Sequence, residues 1–184
     1  LLCVDVQGFR DDENDGPFTS EELTGQFDAD VIWEFDMMEE VGAYPHNLSN
    51  SSPVLWGDLI FVSTSNGQDE SHVNIPSPRA PSVIAVNKMT GELAWERQIF
   101  DYRVHPARHS SGPIIANGKI VSGRSCRPAA GPVSCVIVAH DATTGDELWR
   151  TSLVPAPGEP GDEPWGGVPY EERMHVGSWM VPSY

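Results

Sequence analysis

An acidic stretch near the start of the chain has the residue types and the spacing of a calcium-binding loop. Carboxylates occupy positions 1, 3, 5 and 12 of a twelve-residue window, and Gly16 occupies position 6. The four candidate ligands are Asp11, Glu13, Asp15 and Glu22. Such a ring of hard oxygen atoms suits Ca²⁺. Because the preceding segment is strand-like rather than helical, a solvated acidic insertion between strands is the alternative interpretation.

The three cysteines allow one disulfide. Cys126 and Cys135 flank a turn-rich stretch, residues 127–134, that could bring their thiols within bonding distance. A disulfide there would imply an oxidising compartment, whereas the alternative is two reduced thiols in a loop. Cys3 lies in a predicted core strand, where a free thiol packs as a small apolar group.

Other reactive residues do not favour a different chemistry. His105 and His109 are four residues apart, but Pro106 disfavours the helix that would align them on one metal ion. The sequence has no Gly-x-Ser-x-Gly, Gly-x-Gly-x-x-Gly or phosphate-loop motif, so it gives no support to a hydrolase or a nucleotide-binding protein. The net charge of −16 would repel nucleic-acid phosphates and anionic lipids. No apolar run approaches the ~20 residues of a membrane span.

A repeated phrase, Ala-x-(Asp/Asn)-x-x-Thr-Gly-x-x-x-Trp, indicates the elements that position these residues. It spans Ala85–Trp95 and returns at identical spacing over Ala139–Trp149. A third copy is split by an insertion, so that Leu1–Asp5 opens it and Ala29–Trp33 closes it. The three tryptophans lie 62 and 54 residues apart. Self-similarity of this kind predicts a repeat architecture.

Each repeat unit has the pattern of four short strands. Val83–Val86 and Val136–Ala139 are continuous apolar runs, as expected for strands buried on both faces. Gly57-Asp58 and Asn117-Gly118 predict hairpin turns, and the Thr-Gly of the repeated phrase predicts a turn in which glycine adopts a positive φ. Two hairpins per ~55 residues make a four-stranded blade, and radially repeated blades make a β-propeller. The alternative is a β-sandwich in which the internal sequence similarity arises by chance.

The predicted fold class is therefore all-β, a partial β-propeller. We expect residues 1–184 to form a single partial domain of about three blades, ending near Trp33, Trp95 and Trp149. The next blade would begin near residues 175–184. Closed propellers have roughly 4–8 blades, so we interpret the chain as a segment of a longer protein.

The repeated phrase resembles the tryptophan-docking repeat of quinoprotein dehydrogenases, eight-bladed propellers that bind pyrroloquinoline quinone (PQQ). The likeness to their alcohol-oxidising branch is strongest from about Arg97 to Tyr184. The segments that carry it are Ser122–Cys126, Cys135–Asp141, Pro157–Gly166 and His175–Tyr184. Residues 1–96 are more similar to a sister group of PQQ-repeat propellers. The segments that carry this second likeness are Asp11–Gly16, Asp36–Glu40 and Ser71–Pro81.

The resemblance implies roles for particular residues. The three docking tryptophans would pack between adjacent blades. Trp179 would instead form the floor on which the planar quinone stacks, the alternative being a tryptophan that packs on a neighbouring blade. Arg124, Ser125 and Ser178 are candidates to hydrogen-bond the oxygens or carboxylates of the quinone, the alternative being solvated loop residues.

Other parts of such a site are missing from the sequence. No carboxylate stands near Ser125 and Cys126, where the family has a calcium-binding glutamate, and the adjacent-cysteine lid over the cofactor is absent. The catalytic aspartate and a calcium-binding asparagine would lie beyond Tyr184. The sequence therefore offers no candidate catalytic residue.

The implied reaction is the two-electron oxidation of an alcohol or sugar hydroxyl. A carboxylate base would take the hydroxyl proton while hydride moves to a quinone carbonyl carbon that Ca²⁺ polarises. Electrons would leave to a cytochrome c or a membrane quinone, and the protein would be exported to the periplasm. The alternative is a non-catalytic propeller that serves as a binding scaffold, as in repeat proteins that assist outer-membrane assembly. A chimeric fragment without independent function is a third possibility.

Overall fold

The strands form three antiparallel sheets. The computed structural model describes residues 1–45, 51–71, 73–105, 112–124, 131–173 and 183–184. The first sheet consists of β1 (Leu2–Val4) and β2 (Val31–Glu34). The second consists of β3 (Val54–Trp56), β4 (Leu59–Ser63), β5 (Val83–Asn87) and β6 (Leu93–Arg97). The third consists of β7 (Ile114–Ala116), β8 (Lys119–Gly123), β9 (Val136–Asp141) and β10 (Glu147–Ser152).

Both four-stranded sheets are simple meanders in which strands adjacent in sequence are hydrogen-bonded neighbours. Their first hairpins turn through Gly57 (φ +58°) and through Asn117 and Gly118 (φ +47° and +73°). Positive φ at these positions gives a two-residue turn the twist of the flanking strands. The predicted four-stranded blades and their hairpins are therefore confirmed.

Helical structure in the described residues is short. One α-helix, α1, spans Met37–Val41, and its N-cap Asp36 accepts a hydrogen bond from the Met38 N–H at 2.7 Å. Short 3₁₀ helices span Gly8–Asp11, Pro132–Ser134, Glu163–Trp165 and Tyr170–Glu172. None of the helices in the described part of the chain is long and apolar enough to cross a membrane.

Strand register shows that the split copy of the repeated phrase is structurally equivalent to the two intact copies. Each tryptophan lies opposite a small residue of the preceding strand. These pairs are Cys3 with Trp33, Ala85 with Trp95 and Ala139 with Trp149. All three strand pairs have a register shift next to this position. The insertion between β1 and β2 thus replaces a short turn without changing how the strands pair.

The apolar core lies between successive sheets. Side chains alternate across a strand, so β5 presents Val83 and Ala85 to one side and Ile84 and Val86 to the other. The first pair joins a cluster that includes residues of the third sheet, and the second pair joins a cluster that includes Trp33 of the first sheet. All four side chains are fully buried. This double burial explains why the strand reads as a continuous apolar run.

Two of the tryptophans dock on the next sheet in the same way. The Trp33 indole N–H donates to the Lys88 carbonyl at 2.9 Å, and the Trp95 indole N–H donates to the Ala142 carbonyl at 3.1 Å. Trp33 is 3% exposed and Trp95 is 7% exposed. The prediction that these side chains pack between blades is confirmed.

Trp149 is not covered in the same way. It is 40% exposed, and every residue of β10 is exposed. No described residue accepts a hydrogen bond from its indole or packs over β10 as the third sheet packs over β6. The docking role of Trp149 therefore stays a prediction, because burial of its ring requires a further sheet.

Candidate functional site

Of the four residues predicted to bind a quinone, the structure describes Arg124. Trp179, Ser125 and Ser178 lie outside the described residues. Arg124 directly follows β8, and its backbone N–H donates to the Val136 carbonyl at 2.8 Å. Its side chain is fully buried. The fold therefore places a guanidinium group inside the protein at the end of a central strand.

Aromatic rings surround the Arg124 guanidinium. Its carbon atom lies 4.9 Å from the ring centroid of Phe100 and 5.0 Å from that of Tyr102. The Tyr102 hydroxyl is in turn 3.0 Å from Ser82 Oγ, a hydrogen bond that anchors the ring to the second sheet. Arg150 of β10 approaches the same Phe100 ring at 4.4 Å. Cation–π contacts thus hold the guanidinium against the connection between the second and third sheets.

Burial lowers the pKa of Arg124, and the nearby positive charge of Arg150 lowers it further, whereas Tyr102 opposes the shift. An arginine side chain nevertheless stays protonated in proteins. A buried, permanently charged planar group is suited to bind a carboxylate or another anion. The sequence marked Arg124 but not its aromatic partners, because Phe100 and Tyr102 are more than twenty residues away, in the connection between β6 and β7.

The predicted acidic loop brings together two of its four proposed ligands and recruits a third residue. One carboxylate oxygen each from Asp5, Asp11 and Asp15 lies within 4.8 Å of the others. Glu13 and Glu22 do not belong to this group. Asp5 was not predicted, because it lies outside the twelve-residue window and joins the group through the pairing of β1 with β2.

A buried carboxylate lies beside this group. Asp30 is fully buried; its Oδ2 accepts a hydrogen bond from the Asp15 N–H at 2.9 Å, and its carbonyl accepts one from the Asp5 N–H at 2.9 Å. Loss of hydration raises the pKa of Asp15, and the charges of Asp11, Asp30 and Asp5 raise it further. The like charges in this region therefore disfavour full ionisation.

The cysteines are partly described. Cys135 is fully buried and disulfide-bonded, and Cys3 is free and half-buried. Cys126, the predicted partner of Cys135, lies outside the described residues, as does His109. The pairing of Cys126 with Cys135 therefore stays a prediction.

Comparison with known proteins identifies relatives of the same architecture. Residues 22–160 match the family model described as outer membrane protein assembly factor BamB. Quinohemoprotein alcohol dehydrogenase ADH IIB of Pseudomonas putida is 30% identical over 138 residues, which are 73% of this chain and 16% of that protein. Quinohemoprotein alcohol dehydrogenase ADH-IIG of the same species is 27% identical over 157 residues, 82% of this chain and 19% of that protein.

A solved structure shows the same fold. Quinohemoprotein alcohol dehydrogenase ADHIIG from Pseudomonas putida HK5 superposes with a TM-score of 0.51 and 21% identity, over 76% of this chain and 19% of that chain. The chain thus spans less than a fifth of the length of that solved chain. Since the family model covers well over half of the sequence, the chain belongs to the PQQ-repeat family of β-propellers and is of the quinoprotein alcohol dehydrogenase-like type.

Proposed function

We propose that this chain is a segment of a PQQ-dependent dehydrogenase that oxidises an alcohol or sugar hydroxyl. The observation that carries the proposal is the similarity to two quinohemoprotein alcohol dehydrogenases across 73% and 82% of the chain. The repeated blades and docking tryptophans agree with it, since a propeller of this kind positions a cofactor and excludes water.

Arg124 supports the proposal because its chemistry fits the cofactor. PQQ is flat and carries several carboxylates, and a buried guanidinium can bind such a group through charge-assisted hydrogen bonds. Phe100 and Tyr102 orient the guanidinium, which limits the entropy lost on binding. Trp179 would stack on one face of the cofactor, and Ser125 and Ser178 would bind its oxygens. When bound, the cofactor supplies the two-electron chemistry.

The remaining assignments follow the same proposal. A calcium ion beside the quinone would act as a Lewis acid, and a cytochrome c would accept the electrons. Export to the periplasm would provide the oxidising compartment in which a disulfide between Cys126 and Cys135 forms. The substrate class is a small alcohol or a sugar.

The first test is whether the chain binds PQQ and whether Trp179 is responsible. Titration of the 184-residue chain with PQQ should quench its tryptophan fluorescence. Trp179→Ala is expected to abolish the quenching that saturates with PQQ while leaving the strand signal in circular dichroism unchanged. The matched control is Trp56→Ala, which removes a 39% exposed tryptophan of β3 and should keep saturable quenching.

The outcomes separate a cofactor role from a packing role. Loss of the strand signal in Trp179→Ala would show that Trp179 packs on a neighbouring blade. An absence of saturable quenching in the unsubstituted chain would contradict cofactor binding. Arg124→Lys offers a second test, because it keeps the charge but loses the planar fork, and it should weaken PQQ binding about tenfold or more.

A non-catalytic scaffold is the second candidate function. Two observations favour it: the matching family model is described as outer membrane protein assembly factor BamB, and no carboxylate stands near Ser125 and Cys126. A scaffold needs packed blades but no cofactor. Retrieval of outer-membrane assembly proteins by the chain, together with no PQQ binding, would favour this function over the dehydrogenase.

A further inference from the structure

The connection between β1 and β2 concentrates negative charge at one place. Three carboxylates meet there, a fourth lies beside them, and we call the four the aspartate group. Its members are Asp5, Asp11, Asp15 and Asp30. No described lysine or arginine forms an ion pair with any of them. The described part of the chain therefore provides no ion pair for this charge.

The spacing of the three outer carboxylates suits a single cation. One oxygen from each of Asp5, Asp11 and Asp15 lies within 4.8 Å of the other two. Oxygens that share one Ca²⁺ lie about 2.4 Å from it and therefore no more than about 5 Å apart. Asp5 and Asp15 are half-buried and Asp11 is exposed, so an ion could enter from the Asp11 side.

The buried member provides independent support for a ligand. Asp30 is fully buried, yet no described residue donates a hydrogen bond to its Oδ1 atom. Its Oδ2 is fixed by the Asp15 N–H, so the carboxylate lies against the backbone of an outer member. A buried carboxylate oxygen with no partner is costly unless a cation or a donor compensates it.

The backbone turns tightly around the aspartate group. A 3₁₀ helix spans Gly8–Asp11, Asp12 adopts φ +63°, and Gly16 adopts φ +80°. A Cβ atom on Gly16 would lie 2.4 Å from a methyl carbon of Ile32 and 2.6 Å from its carbonyl oxygen. The loop therefore lies directly against β2, which keeps Asp15 near Asp30.

We propose that the three outer carboxylates of the aspartate group bind one calcium ion, which fastens the β1–β2 connection to the first sheet. All its ligands are hard carboxylate oxygens, which calcium prefers. The ligand set differs from the one suggested by loop spacing, because Asp5 joins Asp11 and Asp15, whereas Glu13 and Glu22 do not belong to the group. The ion offsets the repulsion among these like charges.

Calcium titration of the 184-residue chain tests the proposal. The chain is first treated with EDTA and dialysed into about 150 mM NaCl at neutral pH, where diffuse attraction to a charge of −16 is largely screened. Isothermal titration with CaCl₂ is expected to show one site per chain. Magnesium should bind about tenfold more weakly or less, because it demands octahedral geometry at shorter distances.

Matched substitutions locate the site. Asp11→Asn and Asp15→Asn should weaken calcium binding about tenfold or more, because each removes a charged ligand. Asp12→Asn is the control, because it makes the same charge change one residue away, at an exposed position. Asp12 has a positive φ, which Asn tolerates. This variant should alter the Kd for calcium less than about twofold. Asp30→Asn should weaken binding less than these two, because it removes a neighbouring charge and not a ligand.

Thermal unfolding provides a second readout. Calcium should raise the Tm of the unsubstituted chain and of Asp12→Asn but not that of Asp11→Asn. The Tm in EDTA shows that each variant is folded, and the exposed Asp11 keeps the test valid if Asp30→Asn does not fold. No calcium binding at millimolar concentration would overturn the proposal. The proposal would also be overturned if Asp12→Asn weakened calcium binding as much as Asp11→Asn, because calcium would then be attracted diffusely to the negative charge of the chain.

Discussion

Trp95 and Trp149 end the same repeated phrase, yet their surroundings differ. Trp95 lies between the second and third sheets, is 7% exposed and donates its indole N–H to the Ala142 carbonyl. Trp149 occupies the equivalent register opposite Ala139, but it is 40% exposed. The local sequence therefore determines strand pairing, whereas burial of the ring depends on a neighbouring sheet.

The largest expected difference is between alanine substitutions of the two tryptophans. Trp95→Ala should lower the free energy of unfolding by about 3–5 kcal/mol, because it opens a cavity in the core cluster shared by two sheets. Trp149→Ala should lower it by about 1 kcal/mol or less, because its ring is partly solvated. Urea unfolding followed by circular dichroism measures both. Equal losses would contradict the distinction between the two sites.

A smaller effect is expected from the glycine beneath Trp95. A Cβ atom on Gly145 would lie 2.7 Å from the Trp95 ring, and the residue has φ +74°. Gly145→Ala should therefore lower the free energy of unfolding by about 2–4 kcal/mol, through strain and a displaced ring. Gly118→Ala is the control, since Gly118 has φ +73° but a Cβ atom there would meet no other atom within 4 Å.

The control isolates the docking contribution. Gly118→Ala should cost only the backbone strain, about 1–2 kcal/mol. If Gly145→Ala and Gly118→Ala lowered the free energy of unfolding equally in the same urea experiment, the contact of Gly145 with Trp95 would add nothing to the cost of placing alanine at a positive φ.

The ion pair across this interface should contribute less. Arg97 of β6 lies 3.3 Å from the Asp146 carboxylate and donates to the Thr144 carbonyl at 2.8 Å, both in the turn of the third sheet. Its side chain is 38% exposed. Arg97→Gln should lower the free energy of unfolding by about 0.5–1 kcal/mol. High salt should reduce this difference between the variant and the unsubstituted chain, and a salt-independent loss would point to packing instead.

The smallest expected effect is a pH dependence near the interface. Hydrogen bonds from Arg103 lower the pKa of Asp101 to about 2. A lowered pKa means that the ionised carboxylate is favoured in the folded state, so its stabilisation is present above pH about 4 and is lost as the pH falls through about 2. Asp101→Asn and Arg103→Gln should both flatten this loss in urea unfolding measured across that pH range. An unchanged slope in either variant would contradict the assignment.

Much of the fold follows from local sequence. Asn87 shows why: its side-chain oxygen accepts from the Met89 N–H at 2.8 Å, and Asp141 accepts from the Thr143 N–H at the same distance. These hydrogen bonds close the turn that precedes the tryptophan strand, and all their participants lie within the repeated phrase. Gly145 then adopts φ +74°, as its residue type permits. Turns and strands could therefore be predicted without knowledge of the packing.

Other features depended on residues far apart in the chain. Asp30 meets Asp15 because β1 and β2 pair, and Phe100 and Tyr102 contact Arg124 because the connection between the second and third sheets lies against the end of β8. Neither of these two contacts could be predicted from the spacing of residues within one loop. The candidate quinone site was predictable only through a family resemblance, which named residues but not their surroundings.

The sequence by itself thus determined the repeating unit, its strand register and its turns, since these rest on hydrogen bonds and conformational preferences within a few residues. Tertiary structure alone decided which tryptophan is buried, which carboxylates meet and what surrounds Arg124. The physical reason is that burial and electrostatic interaction depend on distance in space. Partners such as Trp33 and the Lys88 carbonyl are 55 residues apart and meet only when one sheet packs on the next.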